Sequence, residues 1–308
     1  MFSAEIKAIE AHLPEKIVTN KDIVRMSNAN ITEDWIIKKL GIKERRFVSS
    51  EATSDLASKA ALKLLKNNNI SVNDIDMIIV VTSTPDMLIP STASIVQGKI
   101  GARKDICCFD VMNSCSGFNY GLSVAVRFAE NNKNVLLIAA ETYSKYLDRS
   151  DKSFAIFGDG AAATLVTKSN REKYLYERFW CDGRKSNVIE IPICGKFRMK
   201  GREVKDFILT VVVKEVEEAL KDVKLDKNDV KFIFHQANVR VLEKLIEKLG
   251  IKEDQTHITV DKYGNLAAAS IPVTLYDAIK EGKIKKGDLV MLVGFGAGLS
   301  VGINLIEV

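Results

Sequence analysis

Cysteine is scarce: five in 308 residues, at Cys107, Cys108, Cys115, Cys181 and Cys194. No pair stands at CxxC spacing, and the count is odd. That argues against a disulfide framework and against a zinc site, and it points to a reducing cytoplasmic setting. Proline is equally thin, at five residues beside 18 glycines, which leaves no room for a long disordered tract. A dominant charge sign is missing too. Forty-five basic against 40 acidic residues give a net +5, a mild pull on an acidic partner and no case for nucleic acid. The opening MFSAEIKAIEAHLPE lacks the apolar core of a secretory signal. One uncharged stretch, 289–306, is long enough to pass for a membrane span. Gly294, Gly296, Gly298, Gly302 and Asn304 interrupt it, so it reads as two buried strands joined by a glycine turn. No membrane contact is expected.

What is present is a chain written twice. Asn73–Val80 (NDIDMIIV) resembles Asn228–His235 (NDVKFIFH) at an offset of 155. The apolar strand ending in Asp110 resembles one ending in Asp261, at an offset of 151. Val135 matches Leu289 at an offset of 154. Three ordered matches at half the chain length indicate a duplicated unit, with halves 1–167 and 168–308. Each half alternates strands with helices. Runs 75–81, 135–140, 230–234 and 289–293 suit strands covered on both faces. Helices are expected over 54–66, 116–130 and 239–249, the last with Leu242, Leu245, Ile246 and Leu249 on one face. The fold class is therefore α/β, two halves in five layers, α/β/α/β/α.

Cys115 sits in DVMNSCSGFNYG, after a strand and at the start of a helix. A helix N-terminus presents free N–H groups and the positive end of a dipole, which lowers a thiol's pKa. Ser114, Ser116 and Gly117 are small enough for a tight turn that lifts the sulfur, as in a nucleophile elbow. Local context leaves a packed thiol as an equal reading. Cys107 and Cys108, inside the strand, read as core packing. The second half bears on the choice. His235 ends the strand matching Val80, and Asn265, in KYGNLAAASIP, lies near the position matching Cys115. Pseudo-symmetry then brings Cys115, His235 and Asn265 together at the centre, beside flexible backbone in Gly294–Gly298. That glycine run breaks the GxGxxG pattern and has no βαβ unit after it, so it is not a dinucleotide fingerprint.

The motifs NSCSGF around Cys115, HQAN from His235, YGNLAAASIP around Asn265 and FGAG from Phe295 resemble those of the β-ketoacyl-acyl carrier protein synthase III family. TEDWIIKKLGIKERR (32–46) and IFGDGAAATLV (156–166) extend the resemblance over essentially the whole chain. It implies a thiolase fold and decarboxylative Claisen condensation in fatty acid biosynthesis, by a cytoplasmic homodimer. Cys115 is then the acyl acceptor, and backbone N–H groups of Cys115 and Ala297 form the oxyanion hole. His235 and Asn265 donate to the thioester carbonyl of malonyl-acyl carrier protein. The resemblance implies no metal, flavin or nicotinamide, only coenzyme A or acyl carrier protein thioesters as substrates. It places Trp35, Lys39, Lys152, Phe157, Met199, Gly201 and Phe295 along the substrate path. Ile89 is placed against the partner subunit's acyl pocket. Arg240, Lys244 and Lys248, on one helix face, are placed at the carrier-protein dock.

Departures from the family pattern carry expectations of their own. Lys39 and Lys152 stand where coenzyme A-using members often have arginine, which favours a primer delivered on carrier protein. Ile89 in place of a bulkier aromatic favours a primer longer than acetyl. Leu266 after Asn265 favours a more apolar pocket. A thiolase proper is disfavoured, because no second cysteine stands in Gly294–Gly302. The alternative function is acyl transfer to a different acceptor, in secondary metabolism or envelope polysaccharide synthesis.

Overall fold

The computed structural model describes residues 2–308. Two sheets form its frame. The first contains β1 (Ala4–His12), β2 (Met77–Val81), β3 (Cys107–Val111), β4 (Val135–Glu141) and β5 (Gly160–Lys168), in the order β1-β5-β4-β2-β3. The second contains β6 (Tyr174–Cys181), β7 (Val230–Phe234), β8 (Leu289–Gly296) and β9 (Ser300–Glu307), in the order β7-β8-β9-β6. β2 runs parallel to β3 and β4, as β7 runs parallel to β8. The two sheets repeat one pattern, with β1, β2, β4 and β5 answered by β6, β7, β8 and β9.

Helices fill three layers. α1 (Thr53–Asn67) and α2 (Thr92–Ile100) cover the outer face of the first sheet. α3 (Gly117–Ala129) and α6 (Ser270–Lys280) lie between the sheets, where Phe118, Leu122, Val126, Ile271 and Leu275 meet Ile79, Leu137 and Leu292. α4 (Val213–Val223) and α5 (Val239–Leu249) cover the outer face of the second sheet. This is the five-layer arrangement read from the duplication. The uncharged 289–306 run is the antiparallel pair β8–β9. Among the described residues, no helix is long and apolar enough to cross a membrane.

Three sequence expectations need correction. The strand expected to end at Asp261 is absent: Thr256 makes one parallel bridge to Phe232, and Asp261 lies in the short helix Val260–Tyr263. Gln255 replaces the missing ladder, its side-chain amide donating to Lys227 O at 2.6 Å and Val230 O at 3.0 Å. Sheet register moves the match of His235 from Val80 to Thr82, because Val81 pairs with Ala139 and Phe234 with Val293. Cys107 and Cys108 are not core residues, since β3 is an edge strand and leaves Cys107 exposed and Cys108 half-buried. Asn265 itself lies near, not at, the counterpart of Cys115. A single 3₁₀ turn precedes each central helix, Ser114–Ser116 before α3 and Ala267–Ala269 before α6. Ser114 and Ala267 share a left-handed φ, 46° and 47°. Ala268 therefore answers Cys115, and Asn265 stands three residues earlier.

Candidate active site

Cys115 is the middle residue of its 3₁₀ turn, buried against the start of α3. β8 presses flat against this turn, and glycines permit it. A Cβ on Gly296 would lie 2.7 Å from Cys115 Cβ, and one on Gly294 would lie 2.9 Å from Ser116 Cα. The glycines read from sequence as flexible backbone are mostly strand residues that allow close approach. Ala297 sits in the turn between β8 and β9, directly after Gly296, with its carbonyl accepting from Ser300 Oγ at 2.7 Å.

His235 directly follows β7, and its N–H donates to Val293 O at 2.8 Å. The ring meets Phe295 edge-on at 5.3 Å between centroids. Burial pushes the imidazole down to about 3, with the Ala267 backbone opposing, so the ring is neutral over the working pH range. Its Nδ1 is buried without a hydrogen-bond partner. Asn265 is fixed by its backbone, donating to Ile156 O at 2.9 Å and accepting from Gly158 N at 3.0 Å. Its Oδ1 accepts from Ala267 N at 2.8 Å. The amide is thereby oriented with Nδ2 as the remaining donor.

All three side chains line one cavity of about 590 Å³. Trp35, Lys152, Phe157, Met199, Gly201 and Phe295 share its wall. Lys152 Nζ lies 5.3 Å from the centre of the Trp35 ring, within cation–π range. Phe157 stacks on Tyr143 at 4.7 Å and meets Phe197 edge-on. Three expected residues are not on the wall. Lys39 is exposed at the end of the helix Glu33–Lys39, one turn beyond Trp35, Ile89 is 84% exposed in a loop, and Ala297 directly follows the lining residue Gly296. Of the docking trio on α5, Arg240 pairs with Glu243 at 3.0 Å and Lys248 donates to Leu209 O at 2.7 Å. Lys244 is exposed.

The thiol departs from its expectation. The helix N-terminus was expected to lower its pKa. Burial instead pushes Cys115 up to about 12, with the Ser114 hydroxyl opposing and the Glu141 carboxylate adding to the rise. Much of the cavity wall comes from a stretch with little signal in the sequence. Ile189 and Phe197 come from 183–199, where short turns and two-residue strands carry no period, while Val204, Phe207 and Ile208 lie on the helix Gly201–Phe207 and its continuation Ile208–Val212. The hydrophobic spacing of 204–208 was the one signal there.

Residues 109–183 match the family described as 3-oxoacyl-[acyl-carrier-protein (ACP)] synthase III, and residues 220–308 match its C-terminal part. The chain is 40% identical to the β-ketoacyl-[acyl-carrier-protein] synthase III of Clostridioides difficile, covering 99% of this chain and 98% of that one. Identity to the Aquifex aeolicus protein of the same name is also 40%, over 96% of both chains. The crystal structure of 3-oxoacyl-[acyl-carrier-protein] synthase III from Aquifex aeolicus superposes with a TM-score of 0.94, at 37% identity, over 99% of this chain and all of the other. The fold is thus the thiolase fold, and the chain belongs to the β-ketoacyl-acyl carrier protein synthase III family.

Proposed function

We propose that this protein joins an acyl primer to malonyl-acyl carrier protein with loss of CO2, in fatty acid biosynthesis. The observation that carries the reading is one cavity lined by Cys115, His235 and Asn265, contributed by both halves of the duplication. Cys115 sulfur attacks the primer thioester and holds the acyl group. Backbone N–H groups of Cys115 and Ala297 bind the tetrahedral oxyanion. Malonyl thioester follows, its carbonyl facing His235 and Asn265. A neutral imidazole has one N–H, and a partnerless Nδ1 leaves that proton to Nε2. Nε2 and Asn265 Nδ2 donate to the oxygen on which charge gathers as CO2 departs. The enolate carbon then displaces Cys115 and yields a β-ketoacyl thioester.

The thioesters arrive on coenzyme A or carrier protein. Trp35 with Lys152 over its face offers a flat cationic stack at the cavity wall, and Lys244 is the exposed docking lysine on α5. Apolar wall residues such as Phe157 and Ile208 suit an alkyl chain. Five unpaired cysteines fit a reducing cytoplasm. Acyl thioesters of increasing length, on each carrier, test this by intact mass. Primers longer than acetyl should load Cys115 best, and faster from carrier protein than from coenzyme A. Loading of acetyl-coenzyme A alone would refute both preferences.

We also infer a homodimer. β3 pairs only with β2, and the apolar side chains of Met87, Leu88, Ile89 and Met112 stand exposed beside it. A second copy adding its own β3 covers that patch and carries Ile89 toward the other copy's acyl pocket. Ile89→Asp should shift the protein from two copies to one by light scattering. An unchanged mass would refute this surface.

A further inference from the structure

Glu141, the last residue of β4, is completely buried. Hydroxyls and a backbone N–H meet its carboxylate, rather than a cation. Thr84 Oγ1 donates at 2.6 Å, Ser83 Oγ at 2.9 Å, Ser83 N at 3.2 Å and Thr82 Oγ1 at 3.3 Å. A single file of hydroxyls then leads to the nucleophile. Ser83 Oγ lies 3.1 Å from Tyr143 Oη, which lies 3.4 Å from Ser114 Oγ, which lies 3.6 Å from Cys115 Sγ. Two features hold the file. The Tyr143 ring is buried and stacked on Phe157. Ser114 occupies φ 46°, the left-handed region that a non-glycine residue adopts only when its surroundings hold it there. That backbone sets its hydroxyl between Tyr143 and Cys115.

We propose that Glu141 is a positioning residue for the nucleophile, which stores the Cys115 proton, passed along Ser114, Tyr143 and Ser83, while the cysteine carries an acyl group. The proposal rests on Cys115 being the acyl acceptor. At rest Cys115 is a thiol, Glu141 is a carboxylate, Ser83 and Tyr143 donate toward Glu141, and Ser114 Oγ donates to Cys115 Sγ; the Ser114 hydroxyl turns toward Tyr143 Oη before the proton moves. As sulfur attacks, its S–H bond breaks and each hydroxyl passes its own proton forward while taking the one behind. Glu141 gains an O–H bond. The sulfur electron pair forms the new C–S bond. The primer's C–S bond breaks, and its departing thiolate takes a proton from water. When the enolate carbon displaces Cys115, the sulfur leaves as thiolate and recovers the stored proton along the reversed file. One solvent proton is used per turnover, as the overall condensation requires.

Burial raises Glu141 to about 7, against its hydroxyl donors, so it can take and release a proton near neutrality. The titratable groups facing it are Cys115, Tyr143 and Tyr146, none of them cationic. Through space alone, the charge of Glu141 raises the Cys115 pKa. Removing it should then speed alkylation, whereas loss of the relay slows it.

The experiment measures iodoacetamide alkylation of Cys115 against pH, by peptide mapping, in the native protein and two variants. The native rate should rise through pH 7 and then level off, because Cys115 and Glu141 share one proton between about 7 and about 12. Tyr143→Phe keeps the ring and its stack but removes the oxygen. Its inflection near 7 should vanish, with a rate at neutral pH lower by about tenfold or more. Glu141→Gln should slow likewise. A native profile in Tyr143→Phe, or faster alkylation in Glu141→Gln, overturns the relay. If Glu141→Gln does not fold, Tyr143→Phe decides alone. Acyl loading of the native protein at a residue other than Cys115 would instead overturn the nucleophile assignment.

Discussion

Cys115→Ala should abolish acyl loading and lower condensation by more than about a thousandfold, the scale of losing a nucleophile. The same variant should still decarboxylate malonyl thioester. His235 and Asn265 reach their positions from β7 and from backbone bonds to Ile156 and Gly158, with no part played by the sulfur. Removing one sulfur atom leaves the approach of Gly296 intact. Intact mass reads loading, and CO2 release reads decarboxylation. The two should separate cleanly. Native-rate condensation in Cys115→Ala would end the assignment, and joint loss of both activities would point to collapse of the 3₁₀ turn instead.

His235→Ala and Asn265→Ala should give the reverse pattern. Cys115 still loads, while decarboxylation falls about 10²- to 10³-fold for each, the usual cost of one lost oxyanion donor. The double variant should lose less than the product of the two, since both donors serve one oxygen. The pH dependence carries a sign. The imidazole is held down at about 3, so between pH 4 and 8 it stays neutral and adds no inflection to decarboxylation. A catalytic imidazolium would instead lose activity as pH rises through the ordinary histidine range. The depressed value also means the unfolded chain binds a proton there that the folded one does not. This residue's contribution to stability therefore grows as pH rises from about 3 toward 6.5.

The sequence made the repeat and the site readable through different signals. Buried strands such as Val135–Glu141 are continuous apolar runs, and α5 alternates Leu242, Leu245 and Leu249 with charge, so element type followed from period. Cys115, His235 and Asn265 were legible because each is a reactive type at a strand or helix end. Pairing at the level of single residues was not. Two residues of slip between the 3₁₀ turns and the strands moved His235 onto Thr82, and nothing local marks that slip. Lys39 and Lys152 looked alike as replacements for arginine, but only Lys152 lies on the cavity, since Lys39 sits a helical turn beyond Trp35, exposed at the helix end. The glycines of β8 looked mobile because sequence shows what a residue permits. That Cys115 would press against Gly296 depended on how two distant segments pack.

The repeat is imperfect in one place, where β3 of the first half is answered in the second only by Thr256 and the side chain of Gln255. A free strand at both places would give every molecule two equivalent points of attachment. Association through them could then continue from copy to copy without end, as a filament. With the second place closed by a glutamine amide, the β3-to-β3 pairing proposed above would find no matching strand in the other half from which to continue. In that dimer, a single missing strand would turn an internal repeat from a polymerisable unit into one whose assembly is finite.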